Sequence, residues 1–383
     1  MIDKKELKRQ ATDDYSPVPV VHEKNEKTSE APETNKTYQC SSSMSISYLI
    51  STVVAVTILI IWLPDGKHQD YIRGNEDNQV NVANKPQNQA LKDELKVALF
   101  LTFPNSGTSY TLTNTRRITR QNYGSNYCRE DRIPLYSDSD YGPLVEVHDK
   151  TSLPRKYILT KTHCDGFCST CSPEEYVVEN NEEFRKSCFT VPDCIPGHSL
   201  RPVITPEQYS TYESLVGKTV HLLRNPFDNI ISRFHLHIKE HPEQNYTKSV
   251  NGFQAYCQWI NSLNEEETRE LFGDKYDEYI SRIPCAADFF RYSQWHNNAF
   301  EATQIWNKSS LVMYYEDYST KYNETVSRLL EYLEQEWMTK PKPFYKSDYS
   351  DYYTEDQREA VKGLVSEYAS ETTLLHLKRY GFS

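Results

Sequence analysis

The chain has 383 residues, of which 37% are hydrophobic, and its formal net charge at pH 7 is −11. This length and apolar content suffice for one large hydrophobic core with additional segments. The acidic balance excludes a general nucleic-acid binder, because there is no excess of cationic side chains to displace counterions from a phosphate backbone. Any anion site must therefore be built locally, and no nucleic-acid partner is expected.

The N-terminal quarter predicts three segments. Residues 1–45 are polar and charged without apolar periodicity, which is typical of a disordered tail. Residues 46–63 are eighteen residues without a charged side chain, long enough for a single transmembrane helix, with a buried core helix as the alternative. A cleaved signal peptide is disfavoured because some 45 residues precede this run. Residues 64–95 are rich in Asn, Gln, Asp and Lys and predict a stem, followed by a globular domain over residues 96–383.

The cysteines and glycosylation motifs predict where that domain lies. Of nine cysteines, eight follow the predicted span, and an even number on one side suits an oxidising compartment with up to four disulfides. Asn245, Asn307 and Asn323 begin N-glycosylation motifs on the same side. Together these features favour a single-pass type II membrane protein with a cytosolic tail and its C-terminal domain in the secretory lumen.

The first motif of the domain is a strand, a loop and a helix. Residues 97–103 are an apolar, β-rich run that Pro104 ends, and the polar loop 105–109 follows at once. Gly107 can adopt positive φ, and the hydroxyls and free N–H groups at the next helix N-terminus offer donors to an anion. The pattern predicts a phosphate-binding loop, with an ordinary turn of small polar residues as the alternative. It is not a Walker A loop, which requires G-x-x-x-x-G-K-[ST].

The second motif is a strand over residues 156–163, after a polar stretch, residues 123–151, that predicts a loop. Side chains alternate along a strand, so Lys161 and His163 share one face at its C-terminal end. Ligands bind at that end in open α/β sheets. The insertion that follows, residues 164–194, holds five cysteines. Zinc binding is one interpretation, but a disulfide-stapled loop is favoured in a secretory lumen.

The third motif places Arg224 at the end of a strand over residues 219–223. Pro226 fits the first turn of a helix that continues to about Glu240, with Ser232 two turns along it. An arginine at a strand end can hold a phosphate bidentately, and a structural ion pair with a carboxylate is the alternative.

The remaining elements complete an α/β pattern. We expect aromatic helices at residues 251–259 and 287–306, serving as core and lid, a strand at 311–315, and helices at 326–337 and 355–380. Alternating strands and helices predict a mostly parallel sheet with helices on both faces.

Four segments in this order, TFPNSGTSY, KTH, RNPFDNIIS and MYYEDY, resemble the sulfotransferases that use 3′-phosphoadenosine 5′-phosphosulfate (PAPS), and the resemblance covers residues 96–317. It implies a P-loop-like cofactor site and assigns roles by position. The cofactor-binding positions are the loop and the residues after it, Asn105, Ser106, Gly107, Thr108, Ser109 and Tyr110, with Arg224 and Ser232 at the 3′-phosphate. Tyr110 stands where the family often has an adenine-stacking Trp. His163 matches the catalytic base, and Lys161 the lysine beside it.

The chain departs from the family in two places. Many members carry Lys where this chain has Asn105, so Lys161 or the helix N-terminus is expected to meet the charge on the bridging oxygen. The C-terminal Arg-Lys-Gly motif is missing, and no spacing chooses among the candidate replacements, Lys340, Lys342, Lys346 and Lys378-Arg379.

The resemblance implies in-line transfer of a sulfuryl group from PAPS to an acceptor hydroxyl, helped by positioning and electrostatics and requiring no metal. His163 is the expected base, with Glu146, His148 and Asp165 as substitutes. A Golgi-type anchor and stem favour a secreted or cell-surface glycan or glycoprotein as acceptor, over protein tyrosine or small molecules. The competing hypotheses are a catalytically inactive, sulfotransferase-like membrane glycoprotein and a nucleotide-dependent kinase.

Overall fold

The computed structural model describes residues 95–126, 132–135, 143–146, 151–164, 181–189, 205–263, 265–340, 344 and 347–383. The predicted tail, transmembrane span and stem lie outside these residues. Within them, no helix is both long enough and apolar enough to cross a bilayer.

A seven-stranded sheet forms the centre of the described domain, in the order β3-β4-β2-β5-β1-β6-β7. Strands β2, β5, β1, β6 and β7 run parallel to one another, whereas β4 pairs antiparallel with both β2 and β3 at one edge. The prediction of a mostly parallel sheet is therefore confirmed. The strands are β1 Lys96–Thr102, β2 Gly124–Ser125, β3 Arg132–Pro134, β4 Leu144–Glu146, β5 Tyr157–Thr162, β6 Val216–Leu223 and β7 Ser309–Tyr314.

Helices follow or separate these strands. The α-helices of the described residues are α1 Thr108–Thr119, α2 Asn181–Ser187, α3 Pro206–Leu215, α4 Pro226–Glu240, α5 Val250–Leu263, α6 Glu265–Phe272, α7 Tyr276–Arg282, α8 Ala286–Ile305, α9 Asp317–Thr320, α10 Tyr322–Leu333, α11 Glu355–Tyr368 and α12 Glu371–Leu377. Short 3₁₀ turns lie at Pro242–Gln244, Gly273–Lys275, Ser350–Tyr352 and Lys378–Tyr380.

Strand β1 shows why helices cover both faces of the sheet. Its side chains alternate: Val97, Leu99 and Leu101 belong to one buried cluster, with helices α4, α5, α8 and α11. Ala98 and Phe100 belong to a second cluster, with helices α1 and α10. The consecutive residues 97–101 are all apolar and buried, so β1 is covered on both faces, as expected for a central parallel strand.

Three predictions about local structure were wrong in part. Residues 123–151 were expected to form a loop, but they contain the short strands β2, β3 and β4. Strands of two or three residues are too short to show an alternating pattern. Residues 355–380 were expected to form one helix, but Ser370 ends the run and caps α12 by accepting a hydrogen bond from the Thr373 N–H. The helix predicted at 326–337 lies at Tyr322–Leu333, because Glu334 adopts a left-handed conformation with φ 55°.

The aromatic helix α8 belongs to the core rather than to a lid. Fourteen of its residues are buried, including Phe289, Tyr292 and Trp295. Helix α4 extends from Pro226 to Glu240 as predicted, and Asn225 is its N-cap.

Disulfides join two pairs of described cysteines. Cys164 is bonded to Cys188, which staples the cysteine-dense insertion at its start, and Cys257 is bonded to Cys285. The disulfide interpretation of the insertion is confirmed for that first pair. The remaining four cysteines after the span lie outside the described residues.

Candidate functional site

The three predicted motifs meet at the C-terminal ends of adjacent strands, because β1 lies between β5 and β6. After β1 the chain turns through two left-handed residues, Asn105 with φ 64° and Gly107 with φ 95°. Gly107 is the N-cap of α1, which begins at Thr108. The unbonded N–H groups of the first helical turn thus lie at this edge of the sheet, as an anion site requires.

Contacts to α4 hold the loop in place. Ser106 is fully buried, and its hydroxyl accepts a hydrogen bond of 3.0 Å from Asn229 Nδ2. The same amide nitrogen donates to the carbonyl of Pro104 at 2.9 Å. The Ser106 side chain therefore braces the loop, whereas Ser109 is exposed.

Arg224 lies beside the loop, one residue beyond the end of β6. Its guanidinium Nη1 donates a hydrogen bond of 2.6 Å to the carbonyl of Asn105. The side chain is buried, and its Nε lacks a hydrogen-bond partner among the described residues. Its Cζ lies 4.7 Å from the centroid of the Tyr315 ring. A buried donor without a partner is costly, so this arginine has hydrogen-bonding capacity for an anion at the loop.

The turn that follows Arg224 is also held by hydrogen bonds. The Asn225 side chain accepts a hydrogen bond from the N–H of Phe227, and the N–H of Asn225 donates to Glu316 Oε1 at 2.9 Å. Ser232 is half-buried two turns further along α4. The structure thus places Arg224 just beyond the end of β6 and Ser232 on α4, at the positions that the sequence predicted.

His163 follows β5 directly and is bonded to the end of β1. Its Nδ1 lies 2.6 Å from the carbonyl oxygen of Thr102 and 3.1 Å from the hydroxyl of the same residue. A carbonyl oxygen can only accept, so Nδ1 carries the proton and Nε2 carries the lone pair. The Thr102 hydroxyl also lies 2.8 Å from the Thr108 hydroxyl, so a chain of polar contacts joins His163 to the loop.

Burial, and secondly the Lys161 ammonium, lower the pKa of His163 to about 3, while the hydrogen bond to Thr102 opposes this shift. Lys161 is half-buried near the end of β5, where it pairs with Phe100 of β1. The imidazole is therefore neutral at physiological pH. A neutral imidazole with its lone pair on Nε2 can accept a proton.

Tyr110 lies in an aromatic cluster at the start of α1. Its ring makes edge contacts with Tyr318 and Phe344, at centroid distances of 5.1 and 4.9 Å, and also with Tyr315. An open cavity of about 300 Å³ lies alongside, lined by Ser109, Tyr110, Thr113, Asn114 and Arg117. The Tyr110 ring therefore forms one wall of a space next to the loop.

Sequence reasoning missed several residues of this site. Thr102, Asn229, Tyr292, Trp295 and Glu316 each bond a predicted residue or its neighbour. Thr102, Asn229 and Glu316 lay within recognised motifs but were given no role, and the aromatic spacing of α8 indicated a helix without indicating its contacts. Across the described ranges, no three His, Cys, Asp or Glu side chains are grouped to hold a metal ion.

Comparisons with known protein families identify the family of the chain. A family model described as "Sulfotransferase domain" matches residues 96–356. No curated protein matches the chain. Among solved structures, the mouse sulfotransferase SULT7A1 complexed with PAP is 13% identical, with 74% of this chain and 72% of that chain covered and a TM-score of 0.28.

Proposed function

The chain belongs to the sulfotransferase family, and we propose that it takes a sulfuryl group from PAPS and transfers it to a hydroxyl of a secreted or cell-surface glycan. In this proposal His163 is the general base, and the loop between β1 and α1 binds the co-substrate together with Arg224 and Ser232.

The contact between Arg224 and Asn105 carries the proposal for the nucleotide. It brings a buried guanidinium to a loop whose helix N-terminus offers N–H donors. PAPS has two anionic ends, a 5′-phosphosulfate and a 3′-phosphate. We assign the first to the loop, Gly107 to Ser109, and the second to Arg224 with its unpartnered Nε and to Ser232. Tyr110 is assigned to the adenine.

The transfer step follows from the positions of Lys161 and His163. The acceptor oxygen forms a bond to sulfur as the bond from sulfur to the 5′-phosphate oxygen breaks, and the acceptor proton moves to His163 Nε2. Charge develops on the leaving phosphate oxygen. This chain lacks the common loop lysine, so Lys161 and the N-terminus of α1 supply the positive potential in its place.

The low pKa of His163 applies to the protein without bound PAPS. The negative charges of PAPS favour the protonated imidazole, so binding raises this pKa toward the range useful for a general base. His163 Nδ1 donates its proton in a hydrogen bond to the Thr102 carbonyl, so Nε2 remains the atom that accepts the acceptor proton.

The glycan acceptor and the location in the Golgi membrane are supported by features of the whole chain. The disulfides Cys164–Cys188 and Cys257–Cys285 favour an oxidising compartment. The motif asparagines Asn245, Asn307 and Asn323 are all exposed, as glycosylation requires. The predicted span at residues 46–63 supplies the anchor.

The nucleotide site is tested by calorimetric titration of the full-length chain with the product nucleotide, 3′-phosphoadenosine 5′-phosphate. Arg224→Ala is expected to weaken binding at least tenfold. Arg282→Ala, which removes an exposed arginine paired with Glu278, is the matched control and is expected to bind normally. A folded wild-type chain that does not bind the nucleotide overturns the cofactor assignment.

The acceptor is tested by sulfate transfer from labelled PAPS to glycans, tyrosine-containing peptides and small phenols. Sulfation of glycans alone supports the proposal, whereas preferential sulfation of peptides or phenols overturns the acceptor class. Nucleotide binding without transfer to any acceptor would favour the inactive relative. For the location, expression in secretory cells is expected to give a protein whose mass falls on endoglycosidase treatment, and an unglycosylated cytosolic product contradicts it.

A further inference from the structure

His163 and Arg224 occupy equivalent positions on either side of β1. Each is the first residue beyond the C-terminal end of a strand that pairs with β1, namely β5 and β6. A main-chain carbonyl just past a strand end has left the sheet ladder, so it needs another donor when it is buried.

Helix α8 supplies both donors. Trp295 Nε1 donates a hydrogen bond of 2.6 Å to the carbonyl of His163, and the Tyr292 hydroxyl donates one of 2.6 Å to the carbonyl of Arg224. Residues three apart lie on the same face of a helix. The ring of Phe103, which follows β1, packs against both donors at centroid distances of 5.3 Å to Tyr292 and 5.9 Å to Trp295.

The geometry explains why two large side chains are used. Strands β5 and β6 are separated by two inter-strand spacings, about 9.6 Å. Residues three apart advance only about 4.5 Å along a helix. The long Trp295 and Tyr292 side chains span the remaining distance, Trp295 toward the end of β5 and Tyr292 toward the end of β6.

Each site residue therefore has two anchors. The side chain of His163 is bonded to the Thr102 carbonyl at the end of β1, and that of Arg224 to the Asn105 carbonyl in the loop after β1. The main chain is held by α8. The two hydrogen bonds together fix the direction of each side chain relative to the loop. Without the hydrogen bond from α8, the backbone of His163 or Arg224 can shift, and its buried carbonyl loses a partner.

We propose that Tyr292 and Trp295 are positioning residues that align the two halves of the active site through one helix. This inference rests on the proposed function. Tyr292 acts on the nucleotide through Arg224, and Trp295 acts on proton transfer through His163. The two effects are separable, because each donor contacts a different strand end.

The test uses Tyr292→Phe and Trp295→Phe in the full-length chain, which remove the donors and keep aromatic rings. Tyr353→Phe removes a buried hydroxyl with no hydrogen-bond partner among the described residues, and Trp306→Phe removes a buried indole beyond the end of α8. These two variants are the matched controls. If Trp295→Phe does not fold, site-specific replacement of Trp295 by 3-benzothienylalanine keeps the ring volume and still removes the N–H.

Two acceptor-independent readouts separate the roles. Tyr292→Phe is expected to weaken binding of 3′-phosphoadenosine 5′-phosphate five- to tenfold and leave the ¹⁵N spectrum of His163 unchanged. Trp295→Phe is expected to shift the His163 tautomer away from the Nδ1–H form and change its titration, with nucleotide affinity within twofold of wild type. With an acceptor, kcat falls about tenfold for Trp295→Phe at unchanged KM for PAPS.

The outcomes separate a failure of the positioning roles from a failure of the proposed function. A wild-type chain that binds no nucleotide contradicts the proposed function. A wild-type chain that binds and transfers, with both α8 variants behaving like their controls, overturns the positioning roles. Equal loss in both readouts for both variants also overturns them, because that result means general loosening of the core.

Discussion

The ring of Tyr315 packs directly against the main chain of Gly107. A Cβ atom at Gly107 would lie 2.1 Å from Tyr315 Cδ2, far inside van der Waals contact. The Arg224 guanidinium also lies against this ring, with its Cζ 4.7 Å from the ring centroid. Tyr315 therefore joins the loop to the arginine, and the absent side chain of Gly107 is what permits the contact.

Gly107→Ala is expected to lower the free energy of unfolding by about 2 kcal/mol or more and to weaken nucleotide binding more than tenfold. The φ of 95° costs an alanine about 1 to 3 kcal/mol, and Tyr315 must also move. Urea unfolding and calorimetry measure the two effects. Gly363→Ala is the control, because nothing lies within 4 Å of its added Cβ in helix α11. That change is expected to stabilise the helix by up to about 1 kcal/mol. Unaltered nucleotide affinity in Gly107→Ala would contradict the role of the contact.

His163→Ala is expected to reduce the transfer rate by about 10² to 10⁴, the usual contribution of a general base. Nucleotide affinity is expected to stay within twofold, because the proposal assigns the anionic ends of the nucleotide to the loop, Arg224 and Ser232 rather than to His163. Single-turnover transfer and calorimetry report the two quantities separately. Near-normal turnover would assign the base elsewhere, and Glu146, His148 and Asp165 would be the next residues to change.

Lys161→Met is expected to raise the pKa of His163, because a nearby ammonium disfavours the imidazolium. Burial is the larger cause of the lowered pKa, so a substantial shift below the usual range of about 6.5 persists. An NMR titration of ¹⁵N-labelled histidine follows the change. Lys161→Arg keeps the charge and is expected to leave the pKa near its wild-type value; a rise equal to that of Lys161→Met would show that charge is not the cause.

The paired histidines His221 and His296 are expected to make stability fall with acid. Their rings are buried, with His221 Nε2 2.9 Å from His296 Nδ1. Burial lowers the pKa of His221 to about 3 and that of His296 well below its usual value. The unfolded chain therefore takes up protons near pH 6.5 while the folded protein does not, so stability is complete above pH 6.5 and is lost as the pH falls toward 3.

Each of these histidines makes the free energy of unfolding depend on pH, with a slope that approaches about 1.4 kcal/mol per pH unit below pH 6.5. Urea unfolding at pH 7.5, 6.5 and 5.5 measures it. His221→Phe is expected to flatten the dependence by one such slope. Phe300→Leu changes packing next to His221 without removing a titrating group, so it is expected to keep the wild-type slope at lower stability. An unchanged slope in His221→Phe would show that this histidine is not the titrating group.

Arg379 is expected to stabilise the fold rather than bind the nucleotide. Its guanidinium donates to both carboxylate oxygens of Asp317, at 2.6 and 3.2 Å, and its Cζ lies 3.9 Å from the Tyr314 ring centroid. Arg379→Ala is expected to cost about 1 to 2 kcal/mol of unfolding free energy, with nucleotide affinity within twofold. Lys378→Ala, at an exposed neighbour, is expected to change neither quantity. A tenfold loss of nucleotide affinity with unchanged stability would show that Arg379 binds the nucleotide.

The parts of the fold that were predictable have signals confined to one stretch of chain. A continuous apolar run predicted β1, and Pro104 ended it. Pro226 marked the start of α4, and apolar spacing predicted its extent to Glu240. The strands β2, β3 and β4 could not be predicted, since two or three residues carry no measurable period and pairing with neighbours defines them.

The sequence by itself determined the strand-loop-helix with Gly107, the placement of His163 and Arg224 at strand ends, and the family, because these depend on residue type and on spacing within single motifs. Only the tertiary structure decided what holds those residues. Tyr292 reaches a carbonyl 68 positions earlier in the chain, and Trp295 one 132 positions earlier. No local periodicity encodes such distances, since they arise only when the sheet brings β5, β1 and β6 together and α8 packs across their ends.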